Sequence, residues 1–156
     1  MQQAMKVDQR AWVGQSEIIP KEPDLFGIKG DSKHPVTVPL MNFGKTPALE
    51  VINDLNGGVF DKNHVLALGD ISYHHTYPSR YEAVIYPAQK RVQLGDIEFV
   101  GDDTGAEIRS GAKIAYVWGF ATYKDVFGAR HRTEWCYFWR ENYHLFDSCS
   151  IYNNAN

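Results

Sequence analysis

Apolar and polar residues alternate with a period of two along much of this chain, and the three-to-four-residue spacing of an amphipathic helix is nearly absent. In HPVTVPLMNFG (34–44), Val36, Val38 and Leu40 fall on one side and Thr37, Pro39 and Met41 on the other. That is the pattern of a half-buried edge strand, where proline is tolerated. RAWVGQSEII (10–19) has the β-branched and aromatic content of a strand ended by Pro20 and Pro23. ALEVINDLNGG (48–58) predicts a strand with Leu49, Val51 and Asn53 on one face, closed by a turn at Asn56-Gly57-Gly58. FDKNHVLALGD (60–70) fits a short helix or a strand. YEAVIYPAQ (81–89) reads as extended up to Pro87, and KRVQLGDIEFVG (90–101) as a strand punctuated by glycine and aspartate.

The clearest local pattern is KIAYVWGFATYKDVFGARHRTEWCYFW (113–139). Two β-rich runs flank Asp125-Val126-Phe127-Gly128, with aspartate opening a type I turn and glycine where φ is positive. A long antiparallel hairpin follows. About seven strands with turn signals roughly every ten residues predict an all-β fold, a single antiparallel Ig-like β-sandwich. Residues 1–9 read as an N-terminal extension and residues 10–156 as the domain.

The tripeptide Gly44-Lys45-Thr46 invites comparison with a phosphate-binding loop, but Pro39 holds the position of the earlier loop glycine. Pro47 disfavours a following helix. The segment is instead a tight turn between strands, with Asn42 and Gly44 serving the turn and Lys45 solvated.

With 156 residues, 44% of them hydrophobic, the chain suffices for one domain with one core. Sixteen basic and 19 acidic residues are well mixed, for a net charge of −3. This argues against a nucleic-acid partner. No apolar run approaches the roughly 20 residues of a membrane span, and the first residues lack a signal peptide's apolar core.

Three segments, DQRAWVG (8–14), NFGKTPALEV (42–51) and YKDVFGARHRTEWCYFW (123–139), together with the final CSIYNNAN (149–156), resemble a group of uncharacterised bacterial envelope proteins. In these a membrane-spanning N-terminal helix precedes an Ig-like or fibronectin-like β-sandwich. The resemblance implies an extracytoplasmic setting, in the periplasm or at the cell surface, and a membrane-anchored parent protein. No apolar helix precedes Gln9 in the present sequence, and the resemblance brings no activity with it.

Candidate chemistry is sparse. If Asn142 and Tyr143 are the central residues of a hairpin joining 129–140 to 145–152, facing positions sum to 285, as Cys136 and Cys149 do. Counted from a hydrogen-bonded pair Glu141/His144, they fall at a non-hydrogen-bonded position within disulfide reach. The extracytoplasmic setting implied by the resemblance favours a bridge over two buried thiols. Of six histidines (His34, His64, His74, His75, His131 and His144), the adjacent His74-His75 would point to opposite faces of a strand and cannot readily share an ion. One of them could meet His131 or His144 across strands.

The hairpin places Tyr116, Trp118 and Phe120 on one face of its first strand, and Trp135, Tyr137 and Trp139 on one face of its second. Such rows either fill a core or, if exposed, stack on sugars. Trp118, Trp135, Tyr137 and Trp139 are therefore the ligand-binding candidates. Asp102, Asp103 and Glu107 sit in GDDTGAE (101–107), which reads as a polar turn. Nucleophile-elbow, zinc-protease and dinucleotide motifs are missing, so no catalytic, cofactor or metal site is expected. The sequence leads to a non-enzymatic binding or scaffolding domain whose partner is a protein or a glycan, with a carbohydrate-binding module as the alternative.

Overall fold

The computed structural model of the protein describes residues 9–17, 19–20, 32–72, 83–101 and 103–156. They form an all-β sandwich of two packed antiparallel sheets with ten strands, more than the seven expected. The first sheet holds β1 (Val13–Gln15), β2 (Ile19–Pro20), β3 (Ser32–Asn42) and β6 (Lys90–Phe99). β6 pairs along nearly all of β3, and β1 and β2 lie end to end on its other side. The second sheet runs β5 (Ala83–Ile85), β4 (Ala48–Asp61), β7 (Lys113–Lys124), β8 (Arg130–Arg140), with β9 (Leu145–Ser148) and β10 (Asn154–Ala155) along the far side of β8.

β3 is thus an inner strand and not the edge strand its prolines suggest. A strand residue turns its N–H and C=O toward the same neighbour. Pro39 directs its carbonyl to the Ser16 N–H at 3.0 Å, so the donor it lacks faces the break between β1 and β2 and not the continuous ladder to β6. Val36, Val38 and Leu40 fill the core as the alternation requires.

Asn42 closes β3 and turns the chain from one sheet into the other. Its side chain is completely buried. The Oδ1 atom accepts from the N–H groups of Trp12 and Gly44, at 3.1 and 2.9 Å. Nδ2 donates to the carbonyls of Thr46 and Ile85, at 2.8 and 2.9 Å. Gly44 is required here by crowding, because a Cβ would lie 2.2 Å from the Arg10 carbonyl oxygen. The tight turn expected at this place is present.

β4 departs from expectation twice. A bulge between Leu49 and Ile52, with Glu50 at φ 50°, turns both Ala48 and Val51 inward, followed by Leu55. Leu49 and Asn53 are only half-buried. The strand then runs straight through Asn56-Gly57-Gly58, each paired with β7, and ends at Asp61. Close approach and not turning explains the glycine at 57. A Cβ there would meet the Tyr116 carbonyl oxygen at 2.8 Å and the Ile97 side chain at 3.0 Å.

Val38, Leu40 and Ile97 from the first sheet meet Val51, Val117 and Trp135 from the second in one core. The polar turn expected at 101–107 is instead the start of a short helix, α1 (Thr104–Arg109). It is fastened by Thr104 Oγ1 donating to the Val100 carbonyl at 2.8 Å and by burial of Ile108. Of the buried residues Thr104, Gly105 and Ile108, only Ile108 is a large apolar side chain, too little periodicity to announce a helix.

The hairpin of β7 and β8 forms as expected, Tyr116 facing Phe138 and Lys124 facing Arg130. At its turn the Gly128 N–H donates to the Asp125 carbonyl at 3.0 Å, and Gly128 has φ 89°.

A candidate binding groove at one end of the sandwich

Cys136 and Cys149 are joined by a disulfide, with Cα atoms 5.3 Å apart. The predicted register also holds, because Tyr137 faces Ser148 and Trp139 faces Phe146. The phase of the ladder does not. The Cys149 N–H donates to the Cys136 carbonyl at 2.9 Å, so this is not a non-hydrogen-bonded position. Residues 141–144 act as a four-residue loop between Arg140 and Leu145, with a 3-10 turn at Glu141–Tyr143 and His144 at φ 49°. Closing one pair further out shifts the alternation by one. Asn153 completes the arrangement by accepting from the Cys136 N–H at 3.1 Å and donating to the Cys149 carbonyl at 2.8 Å.

The aromatic candidates divide between the two faces of the hairpin. Trp118 belongs to an outer cluster with Tyr116 and Cys136, covered by Phe60, Leu66, Ile71 and Tyr152. Its indole N–H donates to the Ser72 carbonyl at 3.0 Å, which also accepts from Asn56 Nδ2. Trp135 and Trp139 face the other sheet. Exposure is 2% for Trp118, 0% for Trp135 and 9% for Trp139. These rings are core and cannot stack on a sugar. Tyr137 is half-buried, and its hydroxyl accepts from Gln15 Nε2. The strands are paired on both sides and both faces are covered, which is why aromatic rows occur on both.

The histidines serve separate local structures. His34 is buried in β3. His64 stacks on Phe60, with centroids 4.8 Å apart, and pairs with Asp70 at 2.9 Å. His144 meets Trp139 edge-on at 6.2 Å. His131, almost fully buried, places Nε2 at 2.8 Å from Asp125 Oδ2 and Nδ1 at 2.9 Å from the Asn156 carbonyl. His74 and His75 lie outside the described residues, as does Asp102. Asp103 caps α1 with its backbone alone, and Glu107 pairs with Lys113 at 2.6 Å. Among the described residues no three His, Cys, Asp or Glu side chains converge as metal ligands.

A groove of about 520 Å³ lies where α1 ends, β7 begins and β8 closes into its turn. This falls within the range of small-molecule sites, roughly 300–1,000 Å³. The chain is brought round from α1 by Gly111 at φ 74°, and the Lys62 N–H donates to the Ala112 carbonyl, tying the end of β4 to the same wall. Apolar surface comes from Ile108, Ile114 and Phe138, and Trp139 contributes an edge. Lys62, Arg109, Lys113 and Arg140 also line it, against one carboxylate, Glu141. Glu141 is engaged, accepting from the Trp139 indole N–H at 2.7 Å. The hydrogen bond to Glu107 raises the pKa of Lys113 above its ordinary value and keeps it cationic. At the rim Tyr143 is 64% exposed, with the Arg140 guanidinium 4.9 Å from its ring centre.

Trp139 alone of the sequence candidates touches this groove. Lys62, Arg109 with Lys113, and Tyr143 come from three separate segments, and no spacing in the sequence links the three.

Fold and site together define a disulfide-bridged antiparallel β-sandwich with a cation-lined groove at one end. No protein-family model matches the chain, and no curated protein or solved structure is significantly similar to it. Among the described residues no helix is long and apolar enough to cross a membrane.

Proposed function

We propose that this is a non-enzymatic, Ig-like binding or scaffolding domain of a bacterial envelope protein, acting in the periplasm or at the cell surface. The observation that carries the reading is the Cys136–Cys149 bridge, built into the ladder with Asn153 holding both cysteine backbones. Such bridges persist in oxidising compartments and are rare in reducing ones. The test is alkylation of the protein in its native cell before and after reduction. Both cysteines should resist alkylation until a reductant is added; two alkylated cysteines in unreduced cells reject the reading.

A second reading, carbohydrate binding, loses the three buried tryptophans first assigned to it but gains another address. Tyr143 presents an open ring beside a groove that also carries Asn63 and Asn142, the combination of stacking face and amides that suits a sugar.

A further inference from the structure

We propose that β6 pairs antiparallel with β6 of a second copy of this chain, joining the first sheets of the two copies into one. This goes beyond the setting proposed above and holds in any compartment. Among the described residues β6 pairs only with β3. Pro39 turns its carbonyl to Ser16, on the side away from β6. Direction alternates along a strand, so Val38 and Leu40 turn theirs to β6, where they face Gln93 and Arg91. Arg91, Gln93, Gly95 and Ile97 therefore bond to β3, while Lys90, Val92, Leu94, Asp96 and Glu98 hold their N–H and C=O groups toward the open side. An edge of ten residues without a proline is a template for another strand.

The charge pattern selects the second copy. Lys90 and Arg91 open the strand and Asp96 and Glu98 close it, so the edge complements itself when reversed. A two-fold axis at Leu94 sets Lys90 of each chain opposite Glu98 of the other, and Val92 opposite Asp96, all on the face away from the buried Ile97. Opposite charges facing across strands attract. An axis at Asp96 would oppose the two aspartates, and one at Gln93 would match Lys90 with Asp96 but leave Glu98 without a facing base. Lys90 has a loose pair with Glu17, at 3.8 Å with both side chains 54% exposed. Asp96 and Glu98 have no ion pair among the described residues. β4 crosses the core side of β6 near Gly95, where Leu55 packs, and a Cβ on Gly57 would lie 3.5 Å from the Asp96 carbonyl oxygen. The other end is open, with Lys90, Arg91 and Val92 exposed. Antiparallel pairing lays the open end of each strand beside the crossed end of the other.

The test is analytical ultracentrifugation of the full chain over a range of concentrations. The proposal expects a monomer–dimer equilibrium and no larger species, because a two-fold pairing closes on itself. Lys90→Glu and Glu98→Lys should each weaken dimerisation about tenfold, since by symmetry each places like charges opposite at two points. An equimolar mixture of these two variants should dimerise about as tightly as the wild type, because every facing pair in the mixed dimer is again of opposite sign. Val92→Pro removes an N–H on the open side and none that bonds β3. It should abolish the dimer while leaving circular dichroism unchanged. The proposal is overturned if the chain stays monomeric at every concentration, if it polymerises without limit, if Glu98→Lys leaves the dimer as tight as before, or if the mixture does not recover. Should Val92→Pro misfold, the charge reversals at exposed side chains still decide.

Discussion

Asp125 shows how much one side chain can organise. Its Oδ1 accepts from the N–H groups of Phe127 and Ala129, both at 2.9 Å, while Oδ2 faces the His131 ring. Burial alone pushes this carboxyl up, but the bonds from His131, Ala129 and Phe127 prevail and hold its pKa below the ordinary value. The His131 ring lies between two acceptors, Asp125 Oδ2 and the Asn156 carbonyl. A depressed folded pKa means stability that is fully present above the unfolded value of about 3.9 and lost as pH falls through the folded one. Asp125→Asn keeps the turn acceptor and removes the charge. In urea unfolding above pH 5 it should cost about 1–3 kcal/mol, and the gap from wild type should close as pH falls below about 4. A gap independent of pH would show that the charge is idle. The turn at Asp125 was legible in the sequence because aspartate and glycine act on their own backbone. The bond to His131 was not, because it depends on the strand returning in register.

The same division between local and distant causes separates the elements. The β7–β8 hairpin and the 285 register of β8 with β9 could be read from sequence, since a turn fixes every pair beyond it. β4 could not. Asn56-Gly57-Gly58 carries a turn signature, yet the chain stays extended because β7 pairs with it residue by residue while Ile97 presses against it from the other sheet. Sequence near Gly57 does not record those neighbours. Gly57→Ala should therefore cost about 1–3 kcal/mol, the usual penalty of overpacking, because the nearest atom is a backbone oxygen of a paired strand. Gly69→Ala, where an added Cβ meets nothing within 4 Å, should stay within about 0.5 kcal/mol of wild type. Equal losses at the two positions in denaturant titrations would restore the view of Gly57 as a flexible turn residue. The groove was illegible for a related reason: Lys62, Arg109 and Tyr143 meet only because three chain reversals end at one place.

For the whole molecule, the disulfide carries the largest single consequence. The second sheet is apolar on both faces, and among the described residues no further sheet packs on its outer face. Chain segments must cover Tyr116 and Trp118 instead, and the last of them, which includes Tyr152, leaves β9 through Cys149. Tying Cys149 to Cys136 fixes that segment over the cluster. The bridge spans 13 residues of sequence, and closing a loop of about this size removes unfolded-chain entropy worth about 3 kcal/mol. Reduction, or Cys136→Ser with Cys149→Ser, should lower the urea midpoint by a corresponding amount. It should also raise the dependence of stability on urea slightly, because the released chain exposes more surface when unfolded. Hydrogen exchange adds a spatial reading. The Cys136 N–H, held by Asn153, should lose protection on reduction, whereas the Ala115 and Val117 amides in the middle of the sheet should exchange only through global unfolding. If reduction moved neither the midpoint nor the Cys136 amide, side-chain packing would hold the covering segment by itself, and the bridge would be incidental to the fold.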